Sequence, residues 1–201
     1  MLVNAKFMTE LEKSKWLTWV HTMLKFIPKE DLVLIPEITI YSTLISGIHD
    51  SFNLKNPDSD KTINGFYKNR VWAFACLIQG KTIVCTPKIA LCVNREKQLN
   101  IKTPMELTFF HEVGHFHLFH NRPYKAILST DEDDSDFYAL VKYIKLLREL
   151  PHFRTFAESK NGRLAEDIYR NFISSYTHLS DAELAMHIAK EVFKCNVTTT
   201  T

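Results

Sequence analysis

An α+β fold is expected for this chain: a small antiparallel sheet packed on a histidine-bearing helix, followed by a mainly helical C-terminal half. Three observations carry that expectation. Short β-rich runs crowd residues 71–93, a strongly signalled helix follows over 103–121, and apolar residues at helical spacing dominate the chain beyond residue 130. With 201 residues and 45% hydrophobic content the chain can bury one sizeable core, and only five glycines and seven prolines leave little material for linkers. The expected layout is a single domain over 1–197, with a helix and loop region at 1–65, a core at 70–150 and further helices at 151–197. Residues 198–201 form a low-complexity tail, expected to be disordered.

Thr9 and Glu12 have the spacing of a capping box, and Trp16, Leu17, Val20, Met23, Leu24 and Ile27 recur behind them until Pro28 ends the helix. Residues 38–45 suit a strand or a short helix equally, His49 reads as a surface residue, and 53–64 as a polar loop. Three strands are expected at 71–78, 82–85 and 89–93, with a turn at Gln79-Gly80 and a break at Pro87, an antiparallel meander. Such a sheet, placed before a metal-binding helix, could pair an edge strand with an extended peptide. Beyond the connector, Ser129 and Glu132 open a helix that Pro151 ends, and two more helices are expected at 163–176 and 180–194, the last capped by Ser180 and Glu183.

The bulk numbers exclude several classes. The formal net charge of +2 is too small to imply nucleic-acid binding without a groove or motif to support it, and no apolar run approaches the roughly 20 residues that span a bilayer. The first thirty residues lack a signal-peptide core. Cys76, Cys85, Cys92 and Cys195 include no C-x-x-C pair, which reads as reduced, buried thiols in a cytoplasmic protein.

Chemistry concentrates in His111-Glu112-Val113-Gly114-His115, the H-E-x-x-H pattern. On a helix the two histidines fall about 40° apart on one face, so both imidazoles can reach one ion, and Glu112 beside them can take a proton from a metal-bound water. Thr103 suits the N-cap, Pro104 the first helical position and Glu106 the return bond of a capping box. Zinc suits two neutral imidazoles and a carboxylate with a fourth position left for water. His117 and His120 fall on other sides of the helix, and Leu118 and Asn121 stand where a metzincin needs Gly and His.

The third ligand is sought in the acidic run 131–136. On a helical wheel Glu132, Asp136 and, less centrally, Asp133 share a side with Leu140, Tyr143 and Leu147, whereas Asp131 and Asp134 fall among Lys142, Lys145 and Arg148. An inward carboxylate needs a cation or hydrogen bonds to offset its desolvation. Glu132 as zinc ligand, with Asp136 orienting a histidine one turn on, meets that need. Small Ser135 and Ala139 would let this helix approach its neighbour closely.

Residues 90–94, 107–115 and 132–139, with Glu132-Asp133-Asp134-Ser135-Asp136-Phe137-Tyr138-Ala139 as the last segment, resemble the ImmA/IrrE-type metallopeptidases. The resemblance covers about residues 70–150; Ser135, Tyr138 and Phe110 depart from the usual residues without removing a metal ligand. It implies a gluzincin-like zinc site in which His111, His115 and Glu132 hold the metal, and often a repressor protein as substrate. The expected activity is that of a zinc metalloendopeptidase with Glu112 as general base, while Tyr124, His152 and His178 all remain open as the partner of the oxyanion. The rivals are a non-catalytic zinc-binding regulator that acts by binding a partner protein, and a SprT-like protease acting near DNA. Residues 103–201 carry 14 Asp and Glu against 11 Lys and Arg, which speaks against the last.

Overall fold

A computed structural model describes residues 1–43, 46–47, 50, 71–79, 82–93, 104–121, 132–154 and 160–192. The chain divides into two compact units: Met1–Gln98 with His115–Pro123, and Leu99–Gly114 with Tyr124–Thr201. It is a mixture of helices with one small sheet, and among the described residues no helix is long and apolar enough to cross a membrane.

The first unit holds the sheet. Strand β1 (Leu2–Lys6) leads through helix α1 (Glu10–Leu24) and the short α2 (Lys29–Leu32) to β2 (Glu37–Tyr41), and the hairpin strands β3 (Val71–Gln79) and β4 (Thr82–Cys92) complete the order β1-β2-β4-β3. This corrects the antiparallel meander expected from sequence. Only β3 and β4 pair antiparallel; β1 with β2 and β2 with β4 are parallel. The parallel sense follows from connection length, since β1 and β2 are separated by a helical crossover and not by a tight turn.

Pro87 does not break the third run either. It lies inside β4, opposite Phe74, where the ladder to β2 has not yet begun: the first β2 partner on that strand is Ile89. Among the described strands that stretch therefore has one neighbour, and a missing N–H there is tolerated. The ladder shifts register between Trp72 and Phe74, so residues 88 and 89 together oppose residue 73, a bulge beside the proline.

Alternation divides the sheet into two unlike faces. Val3, Ile38 and Ile89 align across the strands, as do Ala5, Ile40 and Leu91, and the four β2 and β4 members of these rows are fully buried. Helix α1 packs against β1, with Trp16, Trp19, Val20 and Met23 buried. Its Thr9–Glu12 capping box is formed in both directions, and the chain leaves the helix at Lys25. Each large apolar side chain enclosed here is worth about 1.5–3 kcal/mol.

The other face carries a polar network around the buried Lys88 and Tyr41. Lys88, 3% exposed, donates from Nζ to Tyr41 Oη at 2.6 Å, and the Tyr41 hydroxyl donates to Asp50 Oδ2 at 2.6 Å. Lys6 Nζ holds the same carboxylate at 2.8 and 2.9 Å, and Glu37 Oε1 lies 3.9 Å from Lys88 Nζ. Burial drives the Lys88 pKa below its usual value against the charges of Glu37 and Asp50. For Asp50, burial acts upward, but the hydrogen bonds from Lys6 and Tyr41 and the charges of Lys6 and Lys88 outweigh it and hold the carboxyl below its usual value.

Two expected results follow from this network. Tyr41→Phe removes the hydroxyl that joins Lys88 to Asp50 and should destabilise the protein by about 1–3 kcal/mol in urea unfolding, the cost of stranding a buried polar partner. Asp50, with its folded pKa depressed, contributes stability that is fully present above the unfolded value of about 3.9 and is lost as pH falls through the folded one. Asp50→Asn should therefore be less stable than wild type at pH 5, and the gap should close below about pH 4; a gap that stays constant from pH 5 to 2.5 would remove the charge from the explanation.

In the second unit α4 (Glu132–Glu149) packs against α5 (Lys160–Ser175) and α6 (Asp181–Val192). Its buried side comprises Ser135, Ala139, Leu140, Tyr143, Ile144, Leu146 and Leu147, while Leu150, just past the end of the helix, is 37% exposed. Arg148 ties the bundle: Nη1 reaches Asp181 Oδ1 at 2.7 Å and Nη2 donates to the carbonyls of Leu179 at 2.9 Å and Tyr176 at 3.3 Å, just past the end of α5. Ser180 and Glu183 form the expected cap of α6. His49, residues 53–64, the turn at residue 80, Ser129, Cys195 and the tail 198–201 lie outside the described residues.

Candidate metal centre

Helix α3 (Met105–Asn121) carries the H-E-x-x-H pattern. Thr108 N–H donates to the Pro104 carbonyl at 3.2 Å, so Pro104 occupies the cap and not the first helical position; Thr103, the expected cap, lies outside the described residues. Met105, Glu106, Leu107, Phe109, Phe110, Val113 and Phe116 are buried, whereas His111, Glu112 and His115 are half-buried. The pattern therefore sits along a partly accessible side of the helix, opposite a buried side that holds Phe109, Phe110, Val113 and Phe116. The helix starts in the second unit and, from His115 onward, belongs to the first.

His111 is held from behind. Its Nδ1 lies 2.7 Å from Asp136 Oδ1, with 16% of the histidine side chain and 66% of the aspartate side chain exposed. The inward placement expected of Asp136 and Asp133 is thereby corrected: both are exposed on α4, and Asp136 meets the histidine all the same. A carboxylate on Nδ1 fixes the proton there and places the ring lone pair on Nε2, the state a metal-ligating histidine needs. Asp134 is exposed as well, and the side chain of Glu132, at the first position of α4, lies outside the described residues.

The approach of α3 to α4 rests on two small residues. A Cβ built on Gly114 would lie 3.1 Å from Ser135 Cα and 3.2 Å from Ser135 O, both backbone atoms, and Ser135 itself is fully buried. The sequence pointed to Ser135 but not to Gly114, whose signal was a glycine inside a helix, where it costs about 1 kcal/mol relative to alanine. Gly114→Val should destabilise the protein by about 1–3 kcal/mol despite its better helix propensity, because backbone cannot yield as a flexible side chain can. Thermal and urea unfolding measure it, and a Val variant as stable as wild type would mean that the helices separate freely.

Two further residues escaped the sequence. Asp31, buried at 3% exposure in α2, lies 2.6 Å from His117 Nδ1 and gives that histidine a structural role in the first unit. Tyr169 on α5 is buried, stacks edge-on against Tyr143 with ring centroids 5.3 Å apart, and has its hydroxyl pKa pushed up to about 12 by burial and by the Asp136 charge. It is protonated at neutral pH. Of the candidates for the oxyanion, His152 and His178 are exposed, His178 near the Tyr176 ring, and Tyr124 lies outside the described residues.

Among the described residues no group of three or more His, Cys, Asp or Glu side chains is gathered closely enough to hold a metal ion. The donors expected from sequence are two imidazoles, which are described, and the Glu132 carboxylate, which is not. Two imidazoles one helical turn apart, one of them oriented by a carboxylate, fit a borderline-soft divalent ion such as zinc. No family model, no curated protein and no solved structure matches the chain.

Proposed function

We propose that the chain is a zinc-dependent metallopeptidase acting on a protein substrate, with His111, His115 and Glu132 holding the metal. The observation that carries this reading is the 2.7 Å contact between Asp136 Oδ1 and His111 Nδ1, because a carboxylate behind a histidine is the usual outer partner of a metal ligand. Zinc held by these residues would supply a Lewis acid able to polarise a carbonyl and to make a water ionisable near neutral pH. Glu112, next to His111 on the helix, takes the proton from the attacking water and delivers it to the leaving amine. Asp136 keeps the His111 ring in one orientation and one tautomer throughout.

The resemblance to ImmA/IrrE-type peptidases supports a regulatory protein, such as a repressor, as the substrate. A regulator that binds zinc and a partner without cutting it would have no use for Glu112, which favours the enzyme. Elemental analysis of protein purified without added metal should find about one zinc per chain. Absence of any transition metal, together with no binding in titration, would remove the reading.

A further inference from the structure

We propose that Cys76 and Cys85 are a redox modification site, a dithiol that closes to a reversible cross-strand disulfide on reaction with glutathione disulfide. The two cysteines are register partners across the antiparallel β3–β4 ladder, which runs without a shift from Phe74 opposite Pro87 to Gln79 opposite Thr82. A pair with only two residues between its members, as Gln79 and Thr82 are, can form only as a hydrogen-bonded pair. Antiparallel pairs alternate, so three steps back along the ladder Cys76 and Cys85 form a non-hydrogen-bonded pair. That is the closer of the two kinds, with Cα atoms about 4.5 Å apart, inside the roughly 4.4–6.8 Å that a disulfide spans.

The position within the sheet adds a second argument. The β2–β4 ladder covers Ile89 to Cys92 only, so among the described strands the cysteine pair lies in a two-stranded ribbon beyond the parallel part. Such a ribbon is marginally stable by itself. A bond between opposite positions would hold its two strands together.

The chemistry balances as two thiol–disulfide exchanges. The thiolate of one cysteine attacks glutathione disulfide, breaking its S–S bond, forming a mixed disulfide and releasing one glutathione thiolate. The second cysteine then attacks the protein sulfur, and the other glutathione leaves as thiolate. The protein dithiol loses two electrons and two protons, and one glutathione disulfide becomes two glutathiones.

The test uses the full chain, incubated in glutathione disulfide, its remaining thiols alkylated, digested without reductant and analysed by mass spectrometry. Free thiols should fall from the four cysteines of the chain to two, with a peptide linking Cys76 to Cys85 that separates on adding dithiothreitol. The link should persist in a Cys92→Ser, Cys195→Ser double variant, whereas Cys76→Ser should leave Cys85 carrying glutathione. Four free thiols after oxidation, a link from either residue to Cys92 or Cys195, or glutathione on both Cys76 and Cys85 of the wild type would each overturn the proposal. The wild-type digest decides by itself, whatever the variants do to folding.

Discussion

Replacing Glu112 by Gln should lower hydrolysis of the physiological substrate by roughly a hundred- to ten-thousand-fold, the range that one positioned proton-transfer group contributes. Gln keeps the size and helix preference of Glu, and position 112 is half-buried and not enclosed in the core, so the fold should survive. Zinc content should stay at the wild-type level, since the amide replaces a base and not a ligand. Three measurements on one preparation then separate the alternatives. Loss of cleavage with metal retained supports the mechanism, and cleavage at the wild-type rate rejects it. A wild type that binds a partner tightly and cuts nothing identifies the chain as a regulator.

The parts of the molecule that the sequence revealed are those governed by local rules. The Thr9–Glu12 and Ser180–Glu183 caps depend on side chains three residues apart, and both form as the sequence implies. The apolar stripe of α4 depends on a 3.6-residue period that runs over four turns, and Leu140, Tyr143, Ile144 and Leu147 are buried accordingly. The sheet was only half legible. Two of its strands could be read at 71–92, but β1 is a five-residue edge strand with an exposed start and no clear alternation, and nothing local declares that it pairs parallel with β2. Parallel pairing is a long-range choice made by the α1–α2 crossover, and Pro87 misled because its tolerance depends on which neighbours the strand has.

The candidate centre shows the same division. Residues 111–115 follow from spacing alone, whereas Asp136 was assigned to the inward side of α4 on the strength of a wheel. The wheel gives an angle about the helix axis, and at the first turns of a helix the neighbouring element decides what that angle faces. Asp136 is mostly exposed and still meets His111. Asp31 had no signal at all: an acidic residue in a four-residue helix, 86 positions from the histidine it holds, is paired by tertiary packing only.

Glu132→Ala should abolish stable zinc binding, while Asp136→Ala should weaken it by about 10–100-fold, the usual cost of losing the hydrogen-bond partner of a ligand. The two expectations rest on different grounds. Asp136 has a neighbour in the structure, the His111 imidazole at 2.7 Å, and its loss would free the ring to rotate and to shift its proton without removing a donor from the metal. Glu132 is assigned as a ligand by the inward side of the helical pattern and by the resemblance of 132–139 to the peptidase motif, and its loss would leave two imidazoles and water to hold the ion. Asp134, exposed on the same helix turn, supplies the control: Asp134→Ala removes the same charge from the same acidic run and should leave affinity unchanged. Zinc titration of these three variants and of Asp133→Ala against a competing chelator, with circular dichroism to establish that each is folded, yields an order of affinities. If Glu132→Ala keeps its metal while Asp136→Ala or Asp133→Ala loses it, the ligand is the other carboxylate, and the three-donor assignment must be redrawn around it.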